Sequence, residues 1–401
     1  AGDRFDAIYE NIFHRPITAP KSTFSIDVDT AAYAKIRMYL TQNGSLPRPD
    51  AVRIEEMINY FSYDYEPPAG DTPFSSQLSV SDCPWQPTHR LVRVGIQGRT
   101  VDDERPPANL VFLIDVSGSM QSANKLPLLK RSMKMLAEQL GENDKVSIVV
   151  YASASGLVLP STNGTDTQAV LGALSRLSAG GSTNGGEGIE LAYDIALENF
   201  VPGGSNRVIL CTDGDFNVGT TGTDELVRLA ADKSEHGVQL TVLGFGMGNH
   251  NDAMLEQVSN RANGNYAFID SIAEARKVLV DQMQGTLVTI AKDVKIQVEF
   301  NPTTVAAYRL IGYENRMLKT EDFDDDKKDA GEIGAGHRVT ALYEVIPAGV
   351  SSPMLPEIAA ADELKYQKRK IKKNDDDDLL TLYVRYKEPE ADVSKKLTFV
   401  L

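Results

Sequence analysis

The stretch Asn109-Leu110-Val111-Phe112-Leu113-Ile114-Asp115-Val116-Ser117-Gly118-Ser119 decides both the fold and the place of its chemistry. Residues 110–114 are apolar without alternation, which implies a strand covered on both faces, in a mostly parallel sheet with helices on each side. Outward from it, strand candidates at 109–114, 145–151, 206–212, 239–245 and 265–269 alternate with helix candidates at 126–140, 166–177, 185–200, 223–236, 251–262 and 271–284. In the first of these helices Leu126, Leu129, Met133, Leu136 and Leu140 recur at spacings of three and four, one apolar stripe to lay on a sheet.

Beyond Ala291 the helical period disappears and strands follow at 294–300, 304–312, 338–345, 379–386 and 396–400. Upstream, 23–28 reads as a strand, 31–42 as a helix closed by Asn43-Gly44, and 78–80 and 90–96 as strands without partners of their own. Three regions result: a small α+β N-terminal region over 1–105, an α/β domain over 106–286 and a β-sandwich domain over 287–401. The fold class is α/β plus β: a doubly wound, mostly parallel Rossmann-like sheet inserted in or flanked by a β-sandwich. The N-terminal strands are expected to pair with the C-terminal ones, which makes the α/β domain an insertion.

The 401 residues are 42% hydrophobic and 24% charged, ordinary globular composition and too long for one core. Lys and Arg number 41 against 56 Asp and Glu, a net charge of −15 that repels phosphate backbones, so nucleic acid is excluded as a partner class. No stretch approaches the roughly 18–20 apolar residues that span a bilayer. Ala1-Gly2-Asp3-Arg4 carries neither Met nor a signal core, so any targeting segment is expected to have been removed. Cys211 lies in an apolar run as a buried free thiol, and Cys83 is expected in a different domain from it.

Asp115, Ser117 and Ser119 form a D-x-S-x-S pattern at the end of the first α/β strand, where ligands of open sheets gather. Thr183, in Gly180-Gly181-Ser182-Thr183-Asn184, and Asp213, in Thr212-Asp213-Gly214-Asp215, fall at the same edge. Oxygen donors without His or Cys suit a hard divalent cation, Mg²⁺ first, with Mn²⁺ or Ca²⁺ as alternatives. Three of the donors are neutral hydroxyls, so the ion keeps positive charge and an outside carboxylate is a favoured further ligand.

At these residues the sequence resembles the von Willebrand factor type A domain over about 106–286. The rest resembles the bacterial YfbK-type family of envelope proteins in Phe24-Ser25-Ile26-Asp27-Val28-Asp29-Thr30, Cys83-Pro84-Trp85, Arg105-Pro106-Pro107-Ala108-Asn109-Leu110 and Gly312-Tyr313-Glu314-Asn315. The resemblance implies a metal-ion-dependent adhesion site: Ser117, Ser119 and Thr183 as direct ligands, Asp115 and Asp213 acting largely through water, and a partner protein's Asp or Glu completing the shell. It also implies an exported protein of the bacterial cell envelope, with a lipid anchor upstream of Ala1. Met120 to Asn124 lack the paired acidic residues of some integrin-type domains, so no second adjacent ion is expected.

Phe216, Asn217, Met247 and His250 are candidate rim contacts, although surface chance also explains His250. A metal-dependent hydrolase would need a general base, and Asp215 is the candidate; a scaffold with a vestigial site is the third reading. Asp29 or Thr30 is expected to cap helix 31–42, Asp324–Asp329 to be a solvated charge run, and the basic cluster 365–373 with Asp375 to Asp378 to form a hairpin face.

Overall fold

The strand Ala108–Asp115 is buried at every position, and its alternate side chains feed two separate cores. Leu110, Phe112 and Ile114 pack with Leu126, Leu129, Met133 and Leu136 of helix Leu126–Ala137. Val111 and Leu113 pack with Ile189, Ala192, Tyr193 and Ala196 of helix Gly186–Glu198 on the opposite face. Each such fully buried large side chain contributes about 1.5–3 kcal/mol, and this double coverage fixes the strand at the centre of the layers.

The computed structural model describes residues 3–101, 105–183, 185–214, 223–247, 250–328, 330–357 and 377–401. They divide into two units. One comprises Ala1–Ala7, Asp29–Val52 and Val101–Val288; the other comprises Ile8–Val28, Arg53–Thr100 and Thr289–Leu401. Residues 1–105, which the sequence sets apart as one region, contribute to both.

The first unit holds a six-stranded sheet in the order Ser155–Asn163, Lys145–Tyr151, Ala108–Asp115, Ser205–Thr212, Val238–Phe245, Tyr266–Ile269. All pairings are parallel except that of Ser155–Asn163, an edge strand absent from the sequence reading. The chain leaves Ala108–Asp115 for a neighbour on one side and returns to Ser205–Thr212 on the other, so the strand order switches between these two carboxyl ends. Helix Ala31–Met38 joins this unit, with Ala31, Ala34 and Met38 in the core shared by Val111 and Leu113. Thr30 at its N-cap makes no side-chain capping bond, whereas the Asp29 carboxylate accepts the Tyr266 N–H at 2.8 Å.

The second unit is a sandwich of two antiparallel sheets. One runs Met317–Leu318, Lys21–Ser25, Thr289–Phe300, Leu380–Lys387, Lys395–Val400; the other runs Val305–Ile311, Arg338–Pro347, Arg90–Gly98, Phe74–Asp82. Arg90–Gly98 pairs with Arg338–Pro347 from Arg90↔Val345 to Gln97↔Arg338, so strands from either side of the α/β segment share one sheet. Across the sandwich, Phe300 stacks on Tyr308 with ring centroids 4.0 Å apart and meets Tyr343 edge-on at 5.1 Å. His89 is wholly buried between the Glu344 carboxylate (Nδ1 to Oε1, 2.5 Å) and the Ser352 hydroxyl (2.9 Å), and Arg309 holds the other Glu344 oxygen at 2.7 Å. Cys83 and Cys211 are both free and buried, one in each unit. Asp324 and Asp326, rather than being only solvated, pair with the Arg385 guanidinium at 3.2 and 3.0 Å; Asp329 and the basic cluster 365–373 lie outside the described residues.

Asp144 sets the start of the central strand. Its Oδ1 accepts from the Ala108 N–H at 2.9 Å and from Arg105 at 2.7 Å, and Oδ2 accepts the Gly141 N–H at 2.7 Å. Burial alone would raise this carboxyl; the Arg105 guanidinium and the two backbone donors outweigh it and hold it below its ordinary value. The stability it contributes is therefore present above its unfolded value, near pH 4, and is lost as pH falls through the lowered folded value. Asp144→Ala is expected to cost about 3 kcal/mol in urea unfolding at neutral pH, because it strands Arg105 and two backbone donors. The difference from wild type should shrink below about pH 3; a pH-independent difference would contradict the assignment.

Candidate metal centre

The polar chemistry begins where the buried strand ends. Asp115 is wholly buried; its Oδ1 accepts the Ser117 N–H at 2.8 Å, and its Oδ2 is buried with no hydrogen-bond partner among the described residues. Burial pushes the Asp115 carboxyl up to about 6, the Asp213 charge adds to the rise, and the Ser117 and Tyr151 groups facing the carboxylate oppose it. On the following turn the Ser117 and Ser119 hydroxyls share a hydrogen bond with their oxygens 3.0 Å apart, Ser117 buried and Ser119 exposed.

Two backbone hydrogen bonds stitch the threonine loop to this turn: Gly118 N–H to the Gly181 carbonyl at 3.0 Å, and Gly180 N–H to the Val116 carbonyl at 2.8 Å. Thr183 follows two residues beyond Gly181 and is half-buried. Asp213 stands immediately after Ser205–Thr212, buried, with Oδ2 accepting from Lys125 Nζ at 2.8 Å. The aspartate-serine turn, the threonine loop and the second aspartate therefore share the carboxyl edge at the switch of strand order.

Gly214 and His250 brace the second aspartate from behind. Gly214 has φ +92°, and a Cβ there would sit 2.4 Å from His250 Nδ1, so both its backbone and its surroundings require glycine. His250 is wholly buried rather than on the rim; its Nδ1 lies 3.0 Å from the Asp213 carbonyl and its Nε2 lies 2.7 Å from the Tyr266 hydroxyl. That carbonyl can only accept, so Nδ1 carries a proton. Burial, reinforced by the nearby Lys35 ammonium, lowers His250 to about 4. The Tyr266 hydroxyl lies equally close, 2.7 Å, to Asp252 Oδ1, so its one proton is shared between that carboxylate and His250 Nε2, and the buried Lys35 ammonium bonds the same carboxylate. Met247 is half-buried against the core, while Asp215, Phe216 and Asn217 lie outside the described residues.

Among the described residues no group of three or more His, Cys, Asp and Glu side chains could hold a metal ion. The donors gathered here are of another kind, hydroxyls with two carboxylates. Oxygen ligands at adjacent corners of a Mg²⁺ octahedron, each about 2.1 Å from the ion, are about 3.0 Å apart, the spacing of the two serine hydroxyls. The Asp115 oxygen without a partner among the described residues is an acceptor that a bound ion's water would satisfy. The donor set thus fits a hard divalent cation. Lys125 is the residue that sequence reading passes over: one lysine before an apolar helix looks like any solvent-facing charge.

A doubly wound sheet carrying D-x-S-x-S at the end of its central strand, with threonine and aspartate loops beside it, defines the von Willebrand factor type A class. The family model described as von Willebrand factor type A domain matches residues 109–302, one described as von Willebrand factor matches 1–93, and one described as Uncharacterized protein YfbK, C-terminal, matches 285–401. The chain is 42% identical to Uncharacterized protein YfbK of Escherichia coli (strain K12), across 99% of this chain and 70% of that protein. It belongs to the YfbK family of von Willebrand factor type A domain proteins. Uncharacterized protein sll0103 of Synechocystis sp. (strain ATCC 27184 / PCC 6803 / Kazusa) is 30% identical over 47% of this chain and 44% of its own length. Among solved structures, von Willebrand factor type A from Catenulispora acidiphila is 15% identical with a TM-score of 0.46, covering 81% of this chain and 73% of that one.

A carboxyl whose folded value is raised opposes folding above its unfolded value, near pH 4, and the penalty is complete above about pH 6. In the presence of chelator, Asp115→Asn is therefore expected to raise stability by about 2–3 kcal/mol at neutral pH and far less at about pH 4. Denaturant unfolding at both pH values checks this; no gain at neutral pH would contradict it.

Proposed function

We propose that this protein is a non-enzymatic, metal-ion-dependent protein-binding module. In this reading Ser117, Ser119 and Thr183 hold Mg²⁺ directly, Asp115 and Asp213 act largely through water, and Mn²⁺ or Ca²⁺ substitutes for Mg²⁺. The ion supplies an electrophilic docking point for an Asp or Glu side chain of a partner protein. What supports this most is the buried Asp115 oxygen, without a hydrogen-bond partner among the described residues, at the strand-order switch and beside two hydroxyls at the spacing of an octahedron's edge. The protein's own contribution is positioning: the two backbone bonds between the serine turn and the threonine loop, and the His250 brace behind Asp213, hold the donors in place before any ligand arrives.

The same reading takes the protein to the bacterial cell envelope, exported and held by a lipid anchor upstream of Ala1, as the family resemblance implies. Among the described residues, no helix is long and apolar enough to cross a membrane.

Calorimetric titration of chelator-stripped protein with Mg²⁺ and Mn²⁺ is expected to give saturable one-site binding that Asp115→Ala abolishes. At a hundredfold excess over the dissociation constant the ion should stabilise the wild type by about 2.7 kcal/mol. Folded wild type that binds neither ion would overturn the reading and leave a scaffold with a vestigial site.

A further inference from the structure

We infer that Lys125 is a built-in counter-cation that makes the ion and a partner's carboxylate bind as a pair; this deepens the metal-binding reading above and rests on it. The Lys125 ammonium donates to Asp213 Oδ2 at 2.8 Å, and the two side chains are only 12% and 1% exposed. Its aliphatic stem lies on Gly246, where φ is +70° and an added Cβ would come within 2.3 Å of Lys125 Cε and 2.7 Å of Cγ. No side chain larger than hydrogen leaves that path open, so the lysine is laid along a groove in the backbone rather than waving in solvent.

Its position in the chain is electrostatically unfavourable without Asp213. Lys125 directly precedes helix Leu126–Ala137, and its carbonyl accepts the Leu129 N–H at 2.9 Å. The start of a helix is the positive end of its dipole, where a cation is disfavoured. The Asp213 carboxylate offsets this, and the same carboxylate belongs to the ion's proposed ligand set.

The charge count gives the consequence. With both carboxylates ionised, Asp115, Asp213 and Lys125 sum to one negative charge, and a divalent ion turns this into one positive charge. A partner's carboxylate then brings these described groups and the ion to neutrality. Without the lysine, the ion alone would reach neutrality and the partner's carboxylate would add an unbalanced negative charge in a buried place. Lys125 therefore weakens the ion held alone and strengthens the carboxylate that follows it, a coupling that is reciprocal between the two ligands.

The test is calorimetric titration of the chelator-stripped chain with Mn²⁺, with and without concentrated acetate as the stand-in carboxylate. Wild type is compared with Lys125→Met and Lys125→Arg, and Lys125→Gln serves if the methionine variant does not fold. The neutral variant is expected to bind Mn²⁺ alone at least about tenfold more tightly than wild type, and to lose most of the gain that acetate gives the wild type. The arginine variant should stay near wild type. Equal or weaker Mn²⁺ binding by a folded neutral variant would overturn the role of Lys125 and leave the metal site standing. Absence of Mn²⁺ binding in every folded variant and in wild type would overturn both.

Discussion

A strand buried on both faces can carry polar chemistry only where it ends, and Ala108–Asp115 is buried along its whole length. Its apolar side chains are divided between two cores, so neither face of the sheet is available for a ligand. The carboxyl end is the exit, and Asp115 sits on it with one oxygen satisfied by the Ser117 N–H and the other without a hydrogen-bond partner among the described residues. Everything assembled around it follows from that constraint. The neighbouring strand on the other side of the order switch delivers Asp213, and the threonine loop is bonded backbone to backbone to the serine turn.

Charge balance is the second determinant. Two buried carboxylates at one edge repel each other, and their mutual effect helps to raise Asp115. Lys125 relieves part of that repulsion through Asp213, and His250, neutral and donating from Nδ1 to the Asp213 carbonyl, shapes the turn behind it without adding charge. Among the described residues the edge is buried at Asp115, Ser117 and Asp213 and exposed at Ser119.

The α/β core was legible because its strands are continuous apolar runs: readings at 109–114, 145–151, 206–212 and 239–245 meet strands at Ala108–Asp115, Lys145–Tyr151, Ser205–Thr212 and Val238–Phe245. Ser155–Asn163 was not, because a half-exposed edge strand interrupted by Gly156 and Pro160 lacks that pattern. The aspartate-serine turn is legible from its spacing only together with its place at the end of a strand. Lys125 is not, because it pairs with a residue after a distant strand, and His250 reads as a rim contact although it is buried where Gly214, remote in sequence, leaves room for its ring. Residues 31–42 read correctly as a helical segment, but their place in the α/β unit depends on contacts with Tyr266–Ile269 that no local pattern encodes.

In the proposed reading the serine hydroxyls, Thr183 and the two aspartates gather around one hard cation. Anomalous X-ray scattering from crystals soaked in Mn²⁺ tests it most directly. A single strong peak is expected about 2.1 Å from both Ser117 Oγ and Ser119 Oγ. A crystal that takes up no ion at that edge, or binds it only elsewhere, would contradict it.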